Sequence, residues 1–300
     1  MQPPSLRTIF PRQTGLLVCL IVFGGLLTIQ SIAQSRRYRP PAQYVQIGKP
    51  DQSEGRKILE EFRLKGIAGD YYLEFVLRVL PRRGEVRSVL GRMWGARNER
   101  GPVSRVILQP DEIGAERRLL IQNGSQSALW AWSSANGQVS ARGAIALFAA
   151  LAGTDLTAFD LQMPFIYWND FVFEGVAPVR GRPAHVFLLY PPADIAAQKP
   201  ELSGVRVFID TQFGALVQAQ QIGDGNQTLK TTTVLDLKKV DSQWIVKTIE
   251  VRDDVTRNKT QFEITGAALG LEFSSGLFDP ATLPDAITPP SMERVRHLSP

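Results

Sequence analysis

Residues 144–168 read AIALFAALAGTDLTAFDLQMPFIYW. They interrupt a chain that elsewhere alternates apolar and polar residues with the period of a β-strand. Two short helical runs flank one turn, Gly153-Thr154-Asp155. The first, 144–151, is alanine-rich and apolar on every side, with Ile145, Leu147, Phe148 and Leu151. A helix of that kind is buried on more than one side. The second, 156–163, carries Leu156, Phe159 and Met163 and follows Asp155, whose carboxylate suits an N-cap. Thr157 and Asp160 also have capping-box spacing, and Pro164 ends the run. Two readings follow: a helical hairpin that plugs the core of a β-protein, or a lid over an apolar cavity.

The rest of the chain is ordinary for a folded protein, with 300 residues, 44% hydrophobic and 21% charged. That length fits one large β-domain. The net charge is +5, and its basic residues come in pairs such as Arg82-Arg83 and Arg117-Arg118, with no long block. Diffuse charge of this kind gives no case for nucleic acid. The one cysteine, Cys19, lies near the N-terminus, and the two histidines, His185 and His297, are far apart. Disulfides and a thiolate or histidine metal site are therefore not expected.

Arg7 and Arg12 precede an apolar run over 16–29, and Ser31-Ile32-Ala33 supplies small residues at the positions a signal peptidase reads. A run of about fourteen residues fits a signal peptide and is short for a spanning helix. Cleavage is expected after Ala33, with an uncleaved anchor as the alternative. Without Arg7 and Arg12 the charge falls to +3, from 32 basic and 29 acidic residues. Cys19 sits too early in the apolar run for a lipoprotein signal. The expected organisation is signal peptide (1–33), Pro-rich linker (34–50), one folded domain (51–283) and a loose Pro-rich tail (284–300).

After the linker, Asp51 or Ser53 caps a helix to about residue 65, with Ile58, Leu59 and Phe62 as its apolar stripe. From residue 70 the period becomes two. Leu73, Phe75 and Leu77 line one face of the first strand with Tyr71 and Val79. Strands continue through 133, with Asn123-Gly124 and Asn136-Gly137 as turns. They resume from 171 to 265, with Leu229, Thr231, Thr233, Leu235 and Leu237 assigned to one side of a long strand. Trp130 and Trp132 belong to the candidate apolar lining. About eleven antiparallel strands result, more than a flat sheet carries without curling.

Asp155 and Asp160 read first as helix caps. A paired-carboxylate hydrolase would need them across a cleft. His185 reads as a packed or exposed side chain, and Gly84 and Gly91 as turn or bulge residues. Neither a G-x-S-x-G nor a phosphate loop occurs. No catalytic residue is assigned and no cofactor is expected.

The order of pieces resembles the LolA-like outer-membrane lipoprotein-sorting proteins. The matching pieces are Ile107-Leu108-Gln109-Pro110 before Gly114 and Leu119-Leu120-Ile121, then Trp130-Ala131-Trp132. Gly153-Thr154-Asp155 with Asp160-Leu161, Val207-Phe208-Ile209-Asp210 and the hairpin ending in Trp244-Ile245-Val246-Lys247 complete the set. The resemblance spans about 55–283. It implies a mainly β, α+β fold: a curled antiparallel sheet forming an incomplete β-barrel under a helical lid. It implies a monomeric periplasmic carrier, not an enzyme, that shields acyl chains of a lipoprotein or lipid between two membranes, with an inner-membrane ABC or RND-type transporter as donor. The alternative is an RseB-like sensor that binds a lipoprotein or a membrane-anchored regulator without passing it on. The lipid-binding residues would be Leu73, Phe75, Leu77, Trp130, Trp132, Ile145, Phe148, Leu151, Leu156, Phe159 and Met163. Gly153, Asp155 and Asp160 would form the lid turn and its caps. The resemblance also implies an arginine tying barrel to lid, for which Arg78, Arg87 and Arg92 are candidates.

Overall fold

The computed structural model describes residues 37–46, 49–109 and 115–298. The signal-peptide reading, its cleavage point and Cys19 lie outside these residues, as do Pro110 and Gly114. Among the described residues no helix is long and apolar enough to cross a membrane.

Helix α1 (Gln52–Leu64) starts at Asp51, whose carboxylate accepts from the Ser53 amide at 2.8 Å. A meander follows: β1 (Asp70–Leu80), β2 (Arg87–Asn98), β3 (Gly101–Leu108), β4 (Arg117–Gln122), β5 (Ala128–Ser133) and the two-residue β6 (Ser140–Ala141). The short helices α2 (Ala144–Leu147) and α3 (Ala158–Gln162) come next. A second meander contains β7 (Phe171–Val179), β8 (Arg182–Leu189), helix α4 (Ala193–Gln198), β9 (Gly204–Asp210), β10 (Leu216–Ile222), β11 (Thr228–Val240), β12 (Gln243–Asp253) and β13 (Lys259–Leu271). A two-residue β14 (Arg296–His297) lies near the end.

The fold is mainly β, and these strands form one antiparallel sheet that does not close into a barrel. Its order is β6-β5-β4-β3-β2-β1-β13-β12-β11-β10-β9-β8-β7, with β14 beside β13. The described residues thus hold fourteen strands, more than the eleven expected. Two of them, β6 and β14, are two-residue pairings too short to leave an alternating pattern.

The two meanders meet at β1 and β13, so β6 and β7 are the opposite edges of the sheet. Residues 142–170 must therefore cross from one edge to the other. Their contacts show that the sheet curls around them. Gln162 donates to the Gln122 carbonyl on β4 at 2.7 Å, while Asp160 accepts from Gln221 on β10 at 2.9 Å. Strands β4 and β10 are seven steps apart in the sheet, about 34 Å if it were flat at roughly 4.8 Å per step. A helix is only about 10–12 Å across with its side chains. Two residues of α3 can reach both strands only if the sheet wraps over the connection.

The main core fills this concave side. Leu73, Phe75 and Leu77 of β1 meet Leu59 of α1 and Leu147, Leu151, Leu156 and Phe159 of the connection in one buried cluster. Helix α1 closes against β7, where Gly55 approaches so tightly that an added Cβ would lie 2.4 Å from the Phe173 Cβ. The Gln52 side chain satisfies both backbone groups of Phe173, accepting at 2.8 Å and donating at 2.9 Å, and Val45 donates to the Glu174 carbonyl. Such caps block further strand pairing at this edge.

The outer face is covered in two places. Residues 37–46 run over β7–β9, where Arg206 and Glu174 form a buried ion pair at 2.7 Å and Tyr190 donates to the Pro40 carbonyl. The tail expected to be loose packs on the other half. Arg105, almost fully buried, donates to the carbonyls of Leu277, Thr282 and Leu283, just ahead of the tail, and of Asp285 within it, at 2.8–3.1 Å. Arg118 donates to the carbonyl of Asp285 at 2.8 Å. Val295 and Leu298 are buried, and β14 pairs with Gly266 and Ala267. Proline removes backbone donors but leaves carbonyls, and the arginines take up several of these around the start of the tail.

Candidate functional site

The candidate site is the interface between the concave face and the 144–168 connection. On β1 the alternate apolar residues face the concave side. Leu73, Phe75 and Leu77 are buried, and the Phe75 ring stacks on Phe262 at 4.4 Å. Opposite Phe75 stands Gly91, read from sequence as a turn or bulge. It is paired within β2, and an added Cβ would sit 2.2 Å from the Phe75 ring. The missing side chain makes room for that ring.

Trp130 and Trp132 require correction. On β5 the residues in the concave cluster are Leu129 and Ala131. The two tryptophans pack on the opposite face with Val103, Leu120 and Leu283, and Arg118 lies 4.5 Å over the Trp132 ring. A shift of one residue exchanges the faces of a strand, and here both faces are covered, so either set could have been inward.

The connection is less helical than expected. Helix α2 stops at Leu147, and an isolated bridge joins Ala150 to Thr157. Ala152 and Gly153 take consecutive left-handed conformations, φ 48° and 67°. Glycine meets this demand without strain and alanine does not. The cap of α3 is Thr157, in a reciprocal capping box with Asp160. Asp155 instead ties the turn to the sheet, its carboxylate accepting from the Thr260 hydroxyl of β13 at 3.0 Å. Met163, φ 47°, ends α3 ahead of Pro164.

Leu151, Leu156 and Phe159 are buried against the sheet, while Phe148 and Met163 are half-buried. Phe159 gathers Phe148, Phe165 and Trp168 at 4.7, 5.6 and 6.2 Å. The Ile145 side chain lies outside the described residues.

Polar ties hold both margins of the connection. Toward β4 and β5 they are neutral: Gln162 donates to Gln122 and Ala128, and Asn123 donates to the Gln162 carbonyl. Toward β10 and β11 they are charged. Asp160, nearly fully buried, accepts from Lys230 at 2.9 Å and from Gln221 at 2.9 Å. It also accepts from the amide and hydroxyl of Thr157, at 2.9 and 2.8 Å. Lys230 donates as well to the Asp155 carbonyl at 2.8 Å. Arg63 of α1 donates to the carbonyls of Ile166 and Trp168 at 2.7 and 2.9 Å. Of the three candidate arginines, Arg87 reaches the connection, donating to the carbonyls of Ala152 and Gly153. Arg78 pairs with Glu263 at 3.1 Å.

Lys230 and Gln221 escaped the sequence reading. The sequence groups Leu229, Thr231 and Thr233 on one side of β11, and it is the alternate residues, Lys230 and Thr232, that face the connection, opposite Gln221 and Ala219 of β10. The signal was there, as polar residues spaced two apart on neighbouring strands. An apolar-face criterion discards it.

The space left beside α3 is small. A cavity lined by Asp160, Met163, Phe165, Val205, Ala219, Gln221 and Thr232 has a volume of about 10 Å³, the size of one water. Among the described residues no group of three or more His, Cys, Asp or Glu side chains could hold a metal ion.

A protein-family model described as "uncharacterized protein" matches residues 105–285, from β3 to the tail clasped by Arg105. The chain belongs to that family. Its fold is LolA-like. The structure is similar to a domain from Vibrio parahaemolyticus described as an outer membrane lipoprotein-sorting protein, at TM-score 0.67 and 17% identity, covering 78% of this chain and 100% of that one. It is similar to a DUF1329 family protein from Desulfovibrio piger at TM-score 0.65 and 15% identity, covering 77% and 98%. A LolA superfamily protein from Nitrosomonas europaea aligns at TM-score 0.58 and 13% identity, covering 75% and 96%. No curated protein sequence matches the chain.

Proposed function

We propose that this protein is an extracytoplasmic carrier that holds the acyl chain of a lipid or lipoprotein against its concave face, beneath the 144–168 connection acting as a lid. One observation carries this reading. The connection contributes much of the apolar filling of a curled sheet, yet the hydrogen bonds that join it to that sheet run through side chains and form no β-ladder. A segment held in that way can be replaced by an acyl chain of similar apolar character. Burial of such a chain gains about 0.8 kcal/mol per CH₂. No catalytic step is required.

The closed cavity of about 10 Å³ defines what uptake demands. Ligand pockets run to roughly 300–1,000 Å³, so the connection must move before a chain enters. A fixed connection is the specific alternative. The protein would then be a binding module of the same fold, recognising a lipoprotein or membrane-anchored regulator through its surface without transfer. Donor transporter, periplasmic location and monomeric state follow from the carrier reading and remain part of the proposal.

The test is uptake of the apolar fluorophore 1-N-phenylnaphthylamine by the mature protein. Saturable uptake, lost in Phe148→Asp and kept in Trp132→Ala, is the expected result. Phe148 is the better probe because Phe159 is fully buried and its charge substitution would disturb folding itself. Absence of uptake by the folded wild type would favour the fixed module.

A further inference from the structure

We infer that Lys230 and Gln221 form a clasp for the anionic head, carboxylate or phosphate, of the amphiphile that enters the concave face, and that Asp160 stands in for that head when the site is closed. The inference rests on the carrier reading and names its ligand class.

The two side chains are cross-strand partners on β11 and β10. Both donate to one carboxylate, at 2.9 Å each, beside a small cavity whose other lining is Met163, Phe165, Val205, Ala219 and Thr232. The carboxylate belongs to the connection, while its donors belong to the sheet. Moving the connection therefore separates the charges. Asp160 keeps the Thr157 donors of its own capping box. Lys230 and Gln221 stay behind beside Thr232, and Lys230 has lost its carboxylate partner. An uncompensated charge at such a place is costly, so opening is disfavoured unless an incoming group replaces the lost anion.

The other margin makes no such demand. There Gln162 and Asn123 make only neutral hydrogen bonds to backbone carbonyls, across to β4 and β5 and back to α3. The β4–β5 and β10–β11 margins thus differ electrostatically, since only the second ties the connection to the sheet through a carboxylate and a cation. That pattern fits a chain with a single anionic end. The amide- and ester-linked acyl groups at a lipoprotein's N-terminus carry no anion at that position and would leave Lys230 unpaired.

The experiment is displacement of bound 1-N-phenylnaphthylamine from the mature protein by palmitate, hexadecyl phosphate and hexadecanol, each below its micellar concentration. One or both anions should displace the probe at least about tenfold more effectively than the alcohol, the effect of one charge-assisted hydrogen bond. The better anion identifies the head as carboxylate or phosphate. Lys230→Gln should abolish the preference, so that both anions displace the probe no better than hexadecanol does in the same variant. Asp160→Asn, which removes the internal competitor, should raise anion affinity more than alcohol affinity, and it serves if Lys230→Gln does not fold. Equal displacement by all three ligands in the wild type, survival of the preference in Lys230→Gln, or equal gains in Asp160→Asn would overturn the inference and leave the carrier reading standing. Failure of the folded wild type to bind the probe at all would instead remove the carrier reading.

Discussion

Asp160→Ala removes the one carboxylate that ties the connection to β10 and β11. The wild-type group accepts from Lys230, Gln221 and both donors of Thr157, and it is nearly fully buried. Breaking a buried pair from one side costs about 3–5 kcal/mol, because the partner is left charged and unpaired. Lys230 retains 13% side-chain exposure, which places the effect near the lower end. Loss of the capping-box partner adds about 1 kcal/mol. A total near 4 kcal/mol should lower the thermal midpoint by roughly 10 °C in a domain of this size. Urea unfolding of the mature protein, followed by far-ultraviolet circular dichroism, measures it. Adding Lys230→Met should recover part of the loss, since an apolar pair is tolerated where a lone charge is not. The exposed pair Arg39–Asp170, 56% and 57% exposed, is the control, with a cost under about 1 kcal/mol. If Asp160→Ala costs no more than that control, the connection is not docked on the sheet in solution and the site geometry is refuted.

Three further outcomes follow from the packing and the charges. Gly91→Ala should destabilise by roughly 1–3 kcal/mol through overpacking against the Phe75 ring, and Phe75→Leu in the same chain should restore much of the loss, both read by urea unfolding. Arg105→Leu should release the tail, costing roughly 2–3 kcal/mol as hydrogen bonds from a charged donor are lost, with faster tryptic cleavage at Arg294 and Arg296. Burial holds the His185 pKa below its ordinary value, so the unfolded chain takes up the proton first as pH falls through about 6.5. Stability should therefore drop between pH 7.5 and 5.5, and His185→Asn should drop less over the same interval.

Much of the fold can be read from period-two alternation, because strands such as β1 have one face in the main core and a more mixed face outside. Leu73, Phe75 and Leu77 were legible for that reason. The reading fails where both faces are covered. On β5, Trp130 and Trp132 lie under the tail while Leu129 and Ala131 face the connection, and alternation between two apolar faces carries no direction. The packing of the tail was unreadable because side-chain bonds from Arg105 and Arg118 to the Asp285 carbonyl hold its start, and these have no periodic signature. At the site, the helical break, the Gly153 turn and the capping role of Asp160 were visible in local sequence. The partners of Asp160 were not. Lys230 lies 70 residues away in the chain, and its pairing depends on a curl that only the edge-to-edge crossing of the connection reveals.

In the carrier, an acyl chain lies against the concave face beneath the displaced connection. Native mass spectrometry of the mature protein purified from the periplasm, with extraction of bound lipid, tests it most directly. The expected result is a co-purified acyl lipid that is absent from Phe148→Asp and retained in Trp132→Ala. A ligand-free protein that also takes up no acyl chain when incubated with lipid extract would contradict it and identify the connection as a permanent part of the core.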